Sequence, residues 1–144
     1  MMDLSRFSLD GKIAVITGGS RGIGLATAIA FAQAGAHVVV SSRNLDDLNK
    51  VADEIRAVGR KALPVAAHMG RLENVRKLVD AAMAEFGKID ILVNNAGTAP
   101  AYANCLEAEE RLWDSIMNLN LKGLYFLSQA ADCSARRRWI SPSW

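Results

Sequence analysis

The sequence predicts an α/β protein built on one doubly wound parallel sheet. Three observations lead to this fold class. Four short apolar runs are rich in β-branched residues, helical patterns lie between them, and a glycine follows each of the first three helical patterns. Such alternation requires parallel strands joined by right-handed crossovers, with helices on both faces of the sheet.

The individual elements follow from residue spacing. The predicted strands are residues 13–17, 37–40, 62–66 and 89–93. Between residues 72 and 86 the apolar side chains recur every three or four positions, which places them on one face of a helix. The three helices are expected to end just before Gly35, Gly59 and Gly87, where a left-handed residue closes the last turn.

The last predicted helical region is irregular. Residues 107–131 have mixed apolar spacing and predict one long or broken helix, interrupted near Asn120 and Gly123. We expect an incomplete domain over residues 1–131, in which only the first four strands and their helices are present. Residues 132–144 form a tail that contains "RRRW" and differs in character from the rest. A frameshift that replaced the end of a longer gene is our hypothesis for this tail.

Composition narrows the class of protein. The chain has 144 residues, of which 51% are hydrophobic, enough for one domain. The start has no signal-like pattern and no stretch reaches membrane-spanning length, so we predict a cytoplasmic protein without a membrane partner. Cys105 and Cys133 fit no metal-ligand spacing, and no metal is expected. The three arginines at 136–138 more than account for the net charge of +2, so nucleic-acid binding is not predicted.

The loop after the first strand has the pattern of a phosphate cradle. It reads "TGGSRGIG", residues 17–24, and it lies between a predicted strand and a predicted helix. Glycines let the chain turn tightly and let the backbone approach a pyrophosphate at the helix N-terminus. A glycine turn needed only for tight packing is the alternative. The candidate cofactor-binding residues here are Gly18, Ser20, Arg21, Gly22, Ile23 and Gly24.

The end of the second strand indicates which dinucleotide is bound. An NAD site of this type places a carboxylate there for the adenosine ribose, but residues 41–44 read "SSRN" and include no acid. Arg43, beside Ser42, could pair with a 2′-phosphate, and Arg21 could approach that phosphate from the glycine loop. We therefore predict NADP(H) in preference to NAD(H). The alternative is that Arg43 is a solvated residue before a helix capped by Asn44.

Three motifs in order resemble the short-chain dehydrogenase/reductase family. They are "TGGSRGIG" after the first strand, "NNAG" at 94–97 after the fourth, and "NLKG" at 120–123 in the following helix. The resemblance covers about residues 9–129. It implies a Rossmann-like domain that transfers hydride between a nicotinamide cofactor and a small carbonyl or alcohol substrate, and an intact protein that is homo-oligomeric.

The resemblance also implies residue roles. Gly18, Gly22, Gly24 and the backbone of Ile23 would hold the pyrophosphate, Asn95, Ala96 and Gly97 would line the ribose and nicotinamide side, and Asn120 would be the catalytic asparagine that holds a water. For Asn94 and Asn95 a structural role that ties neighbouring strands is the alternative, and the two roles can coexist. Asn118 lies two residues before Asn120, and only register against "NLKG" selects between them.

Two departures from the family pattern stand out. After the third strand, where an acid beside the adenine is common, the sequence has His68 and Met69, which can still hydrogen-bond or pack on a ring.

The second departure concerns catalysis. Neither tyrosine, Tyr102 or Tyr125, is followed four residues later by lysine, so the family's Tyr-x-x-x-Lys is absent from this sequence, and its catalytic serine is expected to be missing as well. We therefore expect cofactor binding with little catalysis. The alternative function is an inactive nucleotide-binding or subunit-interaction fragment.

Overall fold

The computed structural model describes residues 5–99 and 105–136, in which strands and helices alternate. The elements are β1 Ile13–Thr17, α1 Gly22–Gln33, β2 His37–Ser42, α2 Leu45–Ala57, β3 Ala62–Ala66, α3 Leu72–Phe86, β4 Ile91–Val93, α4 Glu110–Met117 and α5 Leu124–Arg136. A π-helical turn, Asn118–Gly123, joins α4 to α5.

The four strands form one parallel sheet in the order β3-β2-β1-β4. Ile16 of β1 pairs with Val40 on one side and with Val93 on the other. The chain first builds outward from β1 through β2 and β3, then crosses to the other side of β1. The parallel sheet confirms the predicted fold class. The crossing creates a crevice at the carboxyl ends of β1 and β4, which is where ligands bind in open α/β sheets.

Two predicted strand bounds were wrong. β2 extends two residues further than predicted, to Ser42, because Ser41 and Ser42 continue the pairing with β3. β4 begins at Ile91 rather than at residue 89. Asp90 accounts for the later start, since its side chain accepts the Ile13 N–H at 2.8 Å while its own N–H donates to the Ile13 carbonyl at 2.9 Å. The Asp90 side chain thus takes the place of a backbone carbonyl as the acceptor of the Ile13 N–H, just before β4 begins.

The sheet separates two hydrophobic clusters. Ala14 and Ile16 of β1 face a cluster that includes Ala28 of α1 and Leu48 of α2. Val15, which points to the opposite face, belongs to a second cluster of buried residues that includes Leu78 of α3 and Leu127 of α5. Because successive side chains of a strand alternate between faces, both sides of β1 are buried, which explains its continuous apolar sequence.

The predicted helix ends are confirmed at all three glycines. Gly35, Gly59 and Gly87 have φ angles of 112°, 80° and 72°, in the left-handed region. The predicted interruption of the last helix is the π-helical turn. α5 continues beyond the predicted domain boundary at residue 131, whereas residues 137–144 of the tail lie outside the described residues, so the boundary and the frameshift stay predictions. No helix in the described ranges is long and apolar enough to cross a membrane.

Candidate functional site

A cleft of about 550 Å³ opens at the carboxyl edge of the sheet. Twelve of the thirteen residues predicted to hold the cofactor line it, and they come from the ends of β1 to β4 and the loops after these strands. They are Gly18, Ser20, Arg21, Gly22, Ile23, Ser42, Arg43, His68, Met69, Asn95, Ala96 and Gly97. The fold therefore brings four separated stretches of sequence to one place. Gly24 and Asn120 do not line the cleft.

The glycine loop forms one wall. Gly18 and Gly22 have φ angles of 66° and 57°, which favour glycine over residues with a side chain. A Cβ on Gly18 would lie 2.8 Å from Asn95 Nδ2, so the two loops pack closely. α1 begins at Gly22, and its N-cap residue Arg21 makes no side-chain capping bond. The first N–H groups of α1 have no carbonyl partner within the helix and can serve an anion.

Gly24 lies behind this wall. A Cβ there would collide with the Gly18 carbonyl oxygen and would lie 2.6 Å from Asn95 Nδ2. The third glycine of the motif thus allows α1 to pack against the loop.

Thr17 and Asn95 tie the glycine loop to the loop after β4. Asn95 Nδ2 donates to the carbonyls of Thr17 at 2.9 Å and Gly18 at 3.2 Å. The buried Thr17 hydroxyl donates to the Val93 carbonyl at 3.2 Å and accepts the N–H groups of Asn95 and Ala96, each at 3.1 Å. A structural role for Asn95 is therefore present beside its position in the cleft. Thr17 was not predicted as a site residue, although it is the first residue of the "TGGSRGIG" motif.

Asn94 has a structural role as well. Its Nδ2 donates to Ser128 Oγ of α5 at 3.0 Å, so it ties the end of β4 to that helix.

The corner after β2 combines a helix cap with part of the cleft wall. Asn44 Oδ1 accepts the Asp46 N–H at 3.0 Å, so Asn44 is the N-cap of α2, as the alternative for this corner predicted. Arg43 nevertheless lines the cleft and is exposed. The two interpretations of the corner are compatible, because the cap uses the side chain of Asn44 and leaves that of Arg43 to the cleft.

Seven residues that line the cleft were not predicted from the sequence: Ser41, Asn44, Asp47, Ala67, Thr98, Ser115 and Leu119. Ser41 is informative because its side chain is buried and its hydroxyl oxygen has no hydrogen-bond partner among the described residues. Buried polar atoms are normally satisfied. A polar ligand or water in the cleft would satisfy this one.

His68 and Met69, in the loop that follows β3, form one side of the cleft. His68 Nδ1 accepts the Gly70 N–H at 3.0 Å, which orients the ring. Met69 is almost completely buried and belongs to the core as well as to the cleft. A Cβ on Gly123 would collide with the Met69 carbonyl oxygen, so the π-helical turn packs directly on the backbone of this loop.

Asn120 supports the cleft from outside. Its Oδ1 accepts the Thr98 N–H at 2.8 Å and its Nδ2 donates to the Thr98 carbonyl at 2.7 Å. Both polar atoms of the side chain are therefore engaged with the backbone of a cleft residue. This contact distinguishes Asn120 from Asn118, for which no such bond is found among the described residues. The predicted catalytic role of Asn120 stays a prediction.

The family model for short chain dehydrogenase matches residues 12–135. The chain belongs to the short-chain dehydrogenase family. It is 44% identical over 130 residues to 2-dehydro-3-deoxy-D-gluconate 5-dehydrogenase from Escherichia coli (strain K12), covering 90% of this chain and 50% of that relative. The chain spans about half the length of the curated relatives it matches.

Solved structures give the same result. L-sorbose reductase from Gluconobacter frateurii, complexed with NADPH and L-sorbose, superposes with a TM-score of 0.87 at 37% identity, covering 95% of this chain and 51% of that one. A 7α-hydroxysteroid dehydrogenase complexed with NADH and 7-oxo glycochenodeoxycholic acid also has a TM-score of 0.87 and 37% identity, covering 96% and 53%. The resemblance and the Rossmann-like fold predicted from the motifs are confirmed.

The cleft of this chain has donors suited to a nicotinamide dinucleotide. The turn at Gly18 and Gly22 and the N-terminus of α1 suit a pyrophosphate, and two arginines offer positive charge. The Ser41 hydroxyl, which has no partner in the part of the chain that the structure describes, is a further polar group at the wall. The residues present therefore fit the cofactor class that the family binds.

Proposed function

We propose that this chain binds NADP(H) in preference to NAD(H), as part of an oxidoreductase that acts on a carbonyl or alcohol. The observation that supports the preference is the placement of Arg21 and Arg43 on one cleft, beside a β2 end that carries no carboxylate at residues 41–44. A cytoplasmic location and a homo-oligomeric whole protein belong to the same proposal.

A bound nicotinamide would supply or accept the hydride, and the residues of this chain would hold and orient the cofactor. The N–H groups at the start of α1, with Gly18 and Gly22, hold the pyrophosphate. Ser42, Arg43 and Arg21 receive the 2′-phosphate through charge-assisted hydrogen bonds. His68 and Met69 would lie on the adenine side, and Asn95 to Gly97 would lie on the nicotinamide side.

The side chains behind the cleft keep these groups in position. Five hydrogen bonds made by Asn95 and Thr17 hold the glycine loop against the loop after β4. Asn120 holds the backbone of Thr98 at the same wall. A cleft assembled before the ligand arrives loses less conformational entropy on binding.

Family membership alone does not decide the cofactor. The L-sorbose reductase structure contains NADPH and the 7α-hydroxysteroid dehydrogenase structure contains NADH, although both superpose equally well on this chain. The preference therefore has to come from the residues at the β2 corner.

Replacing Arg43 tests the preference. We expect Arg43→Asp to weaken NADPH binding at least tenfold and to leave NADH binding equal or tighter, because one charge-assisted hydrogen bond contributes about 1.5–3 kcal/mol. Fluorescence titration of the 144-residue chain with each cofactor measures this. Arg76→Asp is the matched control, since Arg76 is exposed on α3 and does not line the cleft. An unchanged ratio of the two affinities in Arg43→Asp would refute the assignment.

The sequence favours a second candidate function for the chain on its own. Without a Tyr-x-x-x-Lys it lacks the proton donor of the family reaction, and positioned acid-base catalysis contributes about 10²–10⁴-fold. We propose that the 144-residue chain binds the cofactor without turnover, as an inactive nucleotide-binding or subunit-interaction fragment. Stabilisation against heat by NADPH, with no oxidation of NADPH on a carbonyl panel, is the expected result. Measurable turnover would contradict it.

A further inference from the structure

Asp47 is an acid in the cofactor cleft that the proposed binding scheme does not use. It lies in the first turn of α2, four residues after Arg43, and it lines the same cleft. Its carboxylate is 3.5 Å from Lys50 Nζ, but the two side chains are 48% and 76% exposed. Exposed pairs of this kind interact weakly and are screened by salt. The Asp47 carboxylate is therefore a negative charge at the cleft that is not fixed in a tight ion pair.

The neighbouring Asp46 provides a comparison for this placement. Both acids lie in the first turn of α2, where a negative charge complements the helix dipole. Asp46 is exposed and does not line the cleft, whereas Asp47 is partly buried and does. The dipole acts on both residues alike, so the feature that concerns the cofactor is that only Asp47 lines the cleft.

We propose that Asp47 is a specificity-determining residue that limits the preference for the 2′-phosphorylated cofactor. This inference rests on the proposed function. A bound 2′-phosphate at Arg43 would carry a charge of about −1.5 to −2 at neutral pH, if it titrates like other phosphate monoesters. The Asp47 carboxylate repels that charge. NAD(H) carries no phosphate at this position, so its affinity depends much less on Asp47.

The expected change in NADPH affinity follows from the strength of interactions between charges near a protein surface. Two such groups several ångströms apart, in partial contact with water, interact strongly enough to change an affinity by about three- to tenfold. The interaction reaches about one Debye length, roughly 8 Å at physiological ionic strength, and it shortens as salt is added. Arg43 and Asp47 thus act in opposite directions on the same phosphate.

The experiment compares Asp47→Asn with Asp46→Asn in the 144-residue chain. Each variant removes one first-turn charge from α2, and only one of them changes the cleft. We expect Asp47→Asn to tighten NADPH binding about three- to tenfold, to leave NADH binding within about twofold, and to lose this effect at about 1 M salt. Asp46→Asn should leave both affinities within about twofold. Asp47→Glu, which keeps the charge, should bind NADPH like the unsubstituted chain.

Each alternative outcome has a separate meaning. Equal tightening by both Asn variants would assign the effect to the helix dipole and overturn the inference. Equal tightening of NADPH and NADH by Asp47→Asn would also overturn it. Thermal melts show whether the variants fold, and Asp47→Ser carries the same test if Asp47→Asn does not. If the unsubstituted chain binds neither cofactor, the proposed function fails, which is distinct from an unchanged NADPH affinity in Asp47→Asn.

Discussion

Asp90 joins the start of β1 to the segment that enters β4. Its carboxylate accepts the Ile13 N–H at 2.8 Å and the Lys88 ammonium at 2.9 Å. Burial by itself raises the pKa of the Asp90 carboxyl. The bonds from Lys88 and Ile13, with the charges of Lys88 and Lys12, outweigh burial, so this pKa lies below its ordinary value of 3.8. The ionised form of Asp90 is therefore part of what holds β4 to β1.

We predict that Asp90→Asn lowers stability in a pH-dependent way. A pKa that is lower in the folded chain contributes stability above the unfolded pKa, and this contribution disappears as the pH falls through the folded pKa. At pH 7 the variant should lose about 1 kcal/mol of unfolding free energy, because it removes a charged acceptor that is partly screened by solvent. From about pH 5 downward the difference should shrink toward zero.

Urea denaturation at several pH values measures this difference. Asp80→Asn, at an exposed position of α3, is the control and should show no such trend. A difference between Asp90→Asn and the unsubstituted chain that stays constant from about pH 7 to below about pH 4 would show that the charge of Asp90 is not involved.

At the scale of elements, the π-helical turn connects the cofactor cleft to α5. It places Asn120 against Thr98, and it brings Gly123 onto the backbone of Met69. An extra residue in a helical turn reorients the helix after it, and such turns are frequent at functional sites. Here the turn supplies one side chain that supports the cleft wall from outside and one glycine that packs beneath the wall.

Gly123→Ala tests the close approach. Alanine favours helices by about 1 kcal/mol over glycine, but here its Cβ would collide with the Met69 carbonyl oxygen and would lie 2.8 Å from the Met69 carbonyl carbon. We expect a net loss of about 1–3 kcal/mol in unfolding free energy, because the core must shift.

A weaker affinity for NADPH should accompany this loss, since Met69 lines the cleft. Thermal melts and cofactor titration measure the two effects. Gly97→Ala is the stability control, because among the described residues its Cβ would meet nothing closer than Asn120 Oδ1 at 3.6 Å. Equal melting temperatures for the two variants would contradict the prediction.

At the scale of the whole molecule, the sheet is unevenly covered. Every residue of β1 is buried, whereas Ile91, Leu92 and Val93 of the edge strand β4 are all only partly buried. Full burial of an aliphatic side chain contributes roughly 1.5–3 kcal/mol, and a domain's net stability is only about 5–15 kcal/mol. An apolar edge also offers unpaired backbone groups to other strands.

We therefore predict that the 144-residue chain is only marginally stable as a monomer and that it self-associates. Light scattering coupled to size-exclusion chromatography over a range of concentrations should show growing species, and the thermal melt should be broad. NADPH should sharpen the melt by stabilising the folded state. A sharp monomer peak at all concentrations, together with a cooperative melt, would contradict this.

Local patterns determined most of the fold. Runs of β-branched residues predicted the four strands, because the chain buries both faces of β1 and β2. Glycines predicted three helix ends, because a left-handed residue closes those turns and glycine adopts that conformation without a steric clash. The motifs also identified twelve cleft residues, since the carboxyl ends of parallel strands meet at one edge.

Other features depended on contacts between distant residues. The side-chain bond of Asp90 shortened β4, and the burial of the Ser41 hydroxyl without a partner among the described residues emerged only from the fold. Asp47 lines the cleft whereas the neighbouring Asp46 does not. No spacing rule encodes these, because they arise when elements far apart in sequence pack together. The sequence by itself thus determined the family, the fold class and the position of the glycine loop. Only the tertiary structure decided which polar groups share the cleft, because charges and hydrogen bonds act over distances in space rather than along the chain.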